Sequence, residues 1–93
     1  MRESTIEAYL RDRVKELGGK AYKFVSPGND GVPDRLVCLP GGRVVFVELK
    51  APGKKPTKLQ ERQHEILTGL GLDVRVIDCK ANIDWLIAEW KGR

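Results

Sequence analysis

Val44-Val45-Phe46-Val47-Glu48-Leu49-Lys50 is an apolar run that ends in an acid and a base. Gly41 and Gly42 lie just before it and Ala51-Pro52-Gly53 just after, so turn residues bound it on both sides. A short run of Val and Phe bounded in this way predicts a buried, central strand. Side chains alternate across a strand, which puts Glu48 and Lys50 on one face and Leu49 on the other. An unpaired charge is costly to bury, so this pair calls for a partner, a cation or an opening to solvent. Pro52 has no N–H to give to a ladder and ends the strand.

Working back from this strand, Pro40-Gly41-Gly42 predicts a turn, and Asp34 to Leu39 a strand entered through Pro33. Ser26 to Gly31 has loop composition, and Lys20 to Val25 predicts the first strand. Ser4-Thr5-Ile6-Glu7 has the form of a capping box, and Ile6, Leu10, Val14 and Leu17 recur at helical spacing before Gly18-Gly19 stops the helix. Working forward, a basic loop runs from Pro52 to Pro56. Thr57-Lys58-Leu59-Gln60 is a second capping box, opening a helix with Leu59, Ile66, Leu67 and Leu70 expected inward and Gly71 closing it. Asp73 to Asp78 predicts a fourth strand. Asn82 is the expected cap of a last helix whose inner stripe is Ile83, Leu86, Ile87 and Trp90. An αβββαβ order with a C-terminal helix predicts an α/β domain, a mixed β-sheet flanked by helices.

Ninety-three residues suffice for one small domain, taken as 1–93, and a core of that size gains from self-association. A hydrophobic fraction of 41% and a charged fraction of 32% fit a folded chain rather than a disordered one. No apolar run approaches a membrane span, and the N-terminus lacks the apolar segment of a signal peptide, so a cytoplasmic protein is expected. Cys38 and Cys79 are too few and too far apart for a zinc site and read as reduced thiols. The net charge of +4 suits a polyanionic partner, although a generic basic protein explains it almost as well. Its distribution says more, because Lys50, Lys54, Lys55, Lys58 and Arg62 crowd into one segment.

If Pro40-Gly41-Gly42 is a three-residue loop, Leu39 faces Arg43 and Asp34 falls opposite Glu48. A two-residue loop would shift the register by one and put Asp34 on the wrong face. In the three-residue register two carboxylates share a face, with Lys50 one pleat further on. That set suits a hard cation, and magnesium or manganese takes carboxylate, carbonyl and water oxygens. The Leu49 carbonyl at the strand end is a further candidate ligand. Lys50 could orient or deprotonate a water, or stabilise a pentacovalent transition state. Ser26 has no base nearby in sequence, so serine nucleophile chemistry is not supported.

Gly31-Val32-Pro33-Asp34 followed by Glu48-Leu49-Lys50 resembles the PD-(D/E)XK nuclease superfamily. Gly-Val-Pro-Asp-Arg, then Val-Glu-Leu-Lys and a helix with Leu-Gln, is similar in particular to the virus-type replication-repair nuclease (VRR-NUC) family, over nearly the whole chain. The resemblance implies a restriction-endonuclease-like fold and a metal-dependent endodeoxyribonuclease. It implies Asp34 and Glu48 as principal metal ligands, Lys50 as catalytic lysine, an acid on the first helix at the position of Glu7, and a catalytic Gln at Gln60. Standalone phage and bacterial members resemble Holliday-junction resolvases, which implies a homodimer acting on branched DNA in a bacterial or phage-infected cell. A four-way junction needs two nicks, and two-fold symmetry would supply two sites.

Each assignment has a plainer alternative. Glu7 and Gln60 both occupy capping-box positions, and Glu48 with Lys50 could be a surface ion pair. Asp34 could be a strand-start residue and Asp30 a turn residue. His64 lies one turn after Gln60 and could approach the site, although a lone helical His is more often a solvated or edge residue. Lys54, Lys55, Lys58 and Arg62, with Arg35, are the candidates for holding DNA backbone without base preference. Trp85 falls off the inner stripe of its helix and could mark a dimer contact. The competing functions are a non-catalytic basic nucleic-acid-binding module and a nuclease on flap or linear DNA.

Overall fold

The computed structural model describes residues 1–92. The chain runs α1 (Glu3–Glu16), β1 (Lys20–Lys23), β2 (Arg35–Leu39), β3 (Arg43–Leu49), α2 (Lys58–Gly69), β4 (Asp73–Ile77) and α3 (Lys80–Lys91), the expected element order. The strands form one sheet in the order β1-β2-β3-β4. β1–β2 and β2–β3 are antiparallel and β3–β4 is parallel, so the sheet is mixed. The parallel step needs a crossover, and α2 provides it.

Leu39 pairs with Arg43, which gives the three-residue turn Pro40-Gly41-Gly42 and the register the hairpin needs. Gly42 sits at φ +81°, a left-handed conformation that costs a residue with Cβ about 1–2 kcal/mol. Alternation then sorts the hairpin. Val37, Leu39, Val45, Val47 and Leu49 go to one face, where they pack with Ile6, Leu10 and Val14 of α1 and Ile83, Leu86, Ile87 and Trp90 of α3. Burying each large aliphatic side chain here contributes roughly 1.5–3 kcal/mol. Polar links tie the layers at their edges. Arg75 of β4 meets Asp73 at 2.6 Å and Glu89 of α3 at 2.8 Å, and the Tyr9 hydroxyl of α1 donates to Asp84 of α3.

Three local expectations give way. The Ser4 capping box does not form, because α1 begins at Glu3 with Arg2 as N-cap and no side-chain cap. Asn82 lies inside α3, which begins at Lys80 after Cys79, again without a side-chain cap. In both cases packing of the apolar stripe, rather than a cap, sets where the helix starts. The third concerns α2. Its capping box is complete, with Gln60 N–H on Thr57 Oγ1 at 3.2 Å and Thr57 N–H on Gln60 Oε1 at 2.9 Å. Yet no residue of α2 is buried, and of the stripe expected inward, Leu59, Ile66 and Leu70 are exposed. The helix packs instead through the neighbouring stripe of Gln60, His64 and Leu67, against the β4 side of the second sheet face. That second face stays partly open, with Tyr22, Val44 and Val76 exposed.

Candidate active site

The site forms where the hairpin opens, opposite its turn. The last ladder pair is Arg35 with Val47, so Asp34 lies across from Glu48 one step further on. Asp34 is held there by a backbone donor, the Leu49 N–H, at 2.8 Å from its Oδ2. Buried Pro33 precedes it and directs the chain into β2. On the other side of β3 the Lys50 N–H donates to the Ile77 carbonyl at 2.9 Å. Residues 48 and 50 thus bond toward β4 while Leu49 bonds toward β2. Because a strand residue turns its N–H and C=O to the same neighbour, the Leu49 carbonyl lies on Asp34's side.

Glu48 is fully buried, an unusual environment for a carboxyl group. Its Oε2 accepts from Gln60 Nε2 at 3.2 Å and lies 3.7 Å from Lys50 Nζ. Its Oε1 is 3.3 Å from His64 Nε2. Burial, then the hydrogen bond and charge of Asp34, push the Glu48 carboxyl up to about 8, and Lys50 only partly opposes them. Burial also holds the His64 imidazole below its usual range. A carboxyl pair in which one member resists ionisation marks a place where positive charge is wanted.

Among the described residues no three Asp, Glu, His or Cys side chains stand together as a ready-made metal cage. The donor set is two carboxylates and a backbone carbonyl. It fits a magnesium- or manganese-like ion that keeps most of its ligands as water and substrate phosphate, and does not fit zinc.

Asp34, Glu48, Lys50 and Gln60 are therefore brought together. Glu7 is placed elsewhere, since its Oε1 pairs with Arg35 Nη2 at 2.9 Å. Arg35 is buried, also donates to the Ala21 carbonyl at 3.3 Å, and faces α1 across the sheet from Glu48. It is thus a partner of the first helix rather than the exposed DNA contact expected of it. The first-helix acid whose charge reaches Glu48 is Glu3, one turn earlier. The sequence marks neither Glu3 nor His64 strongly. The available signals were an acid in the first turn of α1 and the i,i+4 spacing from Gln60.

Lys54 and Lys55 are exposed in the loop after the strand, which is tied back by Gly53 N–H on Asp78 Oδ2 at 3.2 Å. Lys58 and Arg62 share a shallow groove on α2 with Glu61 and Glu65, so that surface is charge-balanced. The loop between β1 and β2 touches α2 closely. A Cβ on Gly31, at φ +90°, would come 2.8 Å from the Leu59 carbonyl carbon and oxygen. A glycine before Asp34 is what lets α2 bring Gln60 and His64 against β3. A cavity of about 230 Å³ lined by Leu17, Leu39, Pro40, Arg43, Trp90 and Lys91 lies at the opposite, turn end of the hairpin, away from the carboxylates.

This arrangement, an acid at the mouth of a hairpin and Glu-x-Lys at the end of its second strand under a Gln-bearing helix, defines a domain of the PD-(D/E)XK nuclease type. No protein-family model matches the chain. A solved structure described as "VRR_NUC domain" superposes with a TM-score of 0.88 at 36% identity, covering 95% of this chain and 96% of that one. "Putative nuclease p44" of Acyrthosiphon pisum secondary endosymbiont phage 1 is 58% identical over 78 residues, 84% of each chain. The chain belongs to the VRR-NUC family.

Proposed function

We propose that this VRR-NUC domain is a metal-dependent, structure-selective endodeoxyribonuclease that cuts branched DNA as a homodimer. The observation that carries the catalytic part is the Asp34–Glu48 pair beside Lys50, with Glu48 held up to about 8 by burial and by Asp34. Asp34, Glu48 and the Leu49 carbonyl would hold the ion, with Glu3 rather than Glu7 as the first-helix acid whose charge acts on Glu48. A bound Mg2+ or Mn2+ supplies positive charge beside the phosphate and eases deprotonation of a water. Lys50 orients the attacking water, or takes its proton, and offsets charge on the phosphoryl oxygens as the bond to the leaving oxygen breaks. Gln60 steadies Glu48. Lys54 and Lys55 hold the flanking backbone through charge alone, without reading bases.

The open second sheet face supports the dimer. Parallel strand pairs are normally covered on both faces, and here Val76 of β4 is 45% exposed, while on α2 Ile66 is 42% and Leu70 73% exposed. No helix of the described residues is long and apolar enough to cross a membrane, and the proposed place of action is the cytoplasm of a bacterial or phage-infected cell.

The test is a cleavage panel in Mg2+ and in Mn2+, using linear duplex, single strand, flap, three-way and four-way junctions, with wild type and Lys50→Ala. Symmetric cuts in the four-way junction that Lys50→Ala abolishes are the expected result. Cuts confined to flaps or linear DNA would keep the nuclease and remove the junction preference. Binding without cleavage on every substrate would leave a nucleic-acid-binding module.

A further inference from the structure

We propose that His64 is a positioning residue for Glu48, donating its Nε2–H to Oε1 so that, with Gln60 on Oε2, the plane of the carboxylate is held for a bound cation. The inference rests on the metal-dependent reading above. A glutamate on a strand can rotate about its last torsion, which is broad and poorly restrained by itself. Here the two oxygens meet different groups. Gln60 Nε2 and Lys50 Nζ approach Oε2 at 3.2 and 3.7 Å, and His64 Nε2 approaches Oε1 at 3.3 Å.

Gln60 and His64 are one turn apart on α2 and so lie on the same helix face. The first of them is itself anchored, because its Oε1 accepts the Thr57 N–H at 2.9 Å while its Nε2 donates to Glu48. The helix start, held by the capping box and by the close approach of Gly31, thus carries both groups as one rigid unit. The His64 side chain is 13% exposed and that of Glu48 1%, so water does not compete freely for this contact. A carboxylate that holds a cation is ionised and can only accept, which assigns the proton to His64 Nε2 in the loaded state. Groups that orient metal ligands in this way typically change metal affinity about 10–100-fold when removed.

The measurement is Mn2+ binding by isothermal titration calorimetry on the full chain, for wild type, His64→Leu, His64→Asn and His64→Gln, beside metal-free melting curves and Mn2+ titrations of DNA cleavage. His64→Leu keeps the apolar volume without a donor, His64→Asn has an amide too short to reach Oε1, and His64→Gln places an amide N–H near the Nε2 position. Expected are melting temperatures near wild type, Mn2+ affinity about 10–100-fold weaker in His64→Leu and His64→Asn, and recovery toward wild type in His64→Gln. Cleavage by the weak variants should return as Mn2+ is raised, with kcat nearly kept. Wild-type Mn2+ affinity in His64→Leu and His64→Asn would overturn the proposal, as would a His64→Gln no better than they are. A wild type that neither binds Mn2+ nor cleaves would instead remove the underlying nuclease reading, a result separate from any behaviour of the variants.

Discussion

Asp34 Oδ2 accepts the backbone N–H of Leu49 at 2.8 Å, so the acid at the start of β2 is fastened to the strand that carries Glu48 and Lys50. One carboxylate therefore has a structural task beside its proposed chemical one, and the two can be separated. Asp34→Asn keeps an acceptor for Leu49 but loses the charge. It should fold like wild type and lose Mn2+ binding and cleavage by at least about 100-fold. Asp34→Ala also leaves that N–H without its partner and should lower stability by a further ~1–2 kcal/mol. Chemical denaturation and calorimetry on the two variants check this.

The Glu48 carboxyl is raised from an ordinary 4.5 to about 8 on folding, so the folded state binds this proton more tightly than the unfolded state does. Its contribution to stability is complete below about pH 4.5 and is lost as pH rises through 8. Metal-free protein should lose on the order of 3–5 kcal/mol across that window, and Glu48→Gln should remove this slope while abolishing cleavage. Divalent metal should restore stability at high pH in wild type and not in Glu48→Gln. Urea midpoints between pH 5 and pH 9, with and without Mn2+, test the sign.

Gly31 and Gly28 both have positive φ, +90° and +82°, but differ in surroundings. Gly28→Ala meets nothing within 4 Å and should cost only the backbone term, about 1–2 kcal/mol. Gly31→Ala drives a methyl into the Leu59 backbone at 2.8 Å and should cost more, because α2 must move away. It should also weaken cleavage beyond what its stability loss explains, because Gln60 and His64 leave Glu48 together. Melting curves paired with single-turnover rates across a Mn2+ titration separate the two effects.

The exposed apolar stripe of α2 and the outer face of β4 are where the proposed dimer would form. Ile66→Glu combined with Val76→Glu should shift the protein to monomer in sedimentation equilibrium while leaving its far-UV circular dichroism unchanged, since both side chains are already more than 40% exposed. The paired cuts of a four-way junction should become uncoordinated single nicks. A wild type that sediments as monomer at all concentrations would remove the homodimer.

Lys54 and Lys55 are exposed in a loop that carries no acid of its own, although Asp78 meets it at Gly53, whereas Lys58 and Arg62 lie beside Glu61 and Glu65. The double change to Gln should weaken binding to every DNA structure alike and reduce the slope of log affinity against log salt by about two. Fluorescence anisotropy at several salt concentrations, in Ca2+ to prevent cutting, is the check.

Much of this molecule was legible because its signals are local. Val44 to Val47 between glycines and Pro52 mark a central strand whatever else is nearby. Gly41-Gly42 suits a three-residue turn, and the turn alone sets the register that puts Asp34 opposite Glu48. Thr57 and Gln60 form their capping box from residues three apart. Tertiary structure decided what lies across a gap. Periodicity showed that α2 has an apolar side, but not that the sheet would take the stripe of Gln60, His64 and Leu67 and leave Leu59, Ile66 and Leu70 open. Glu3 and Glu7 are both acids on the same helix. Which of them acts on Glu48 through its charge depends on how α1 lies on the sheet, and Arg35, reaching up from β2, takes Glu7. His64 gains its meaning only from Glu48, sixteen residues away. A sequence pattern records the period of each element, and the partner across the interface is set by the packing of several elements at once.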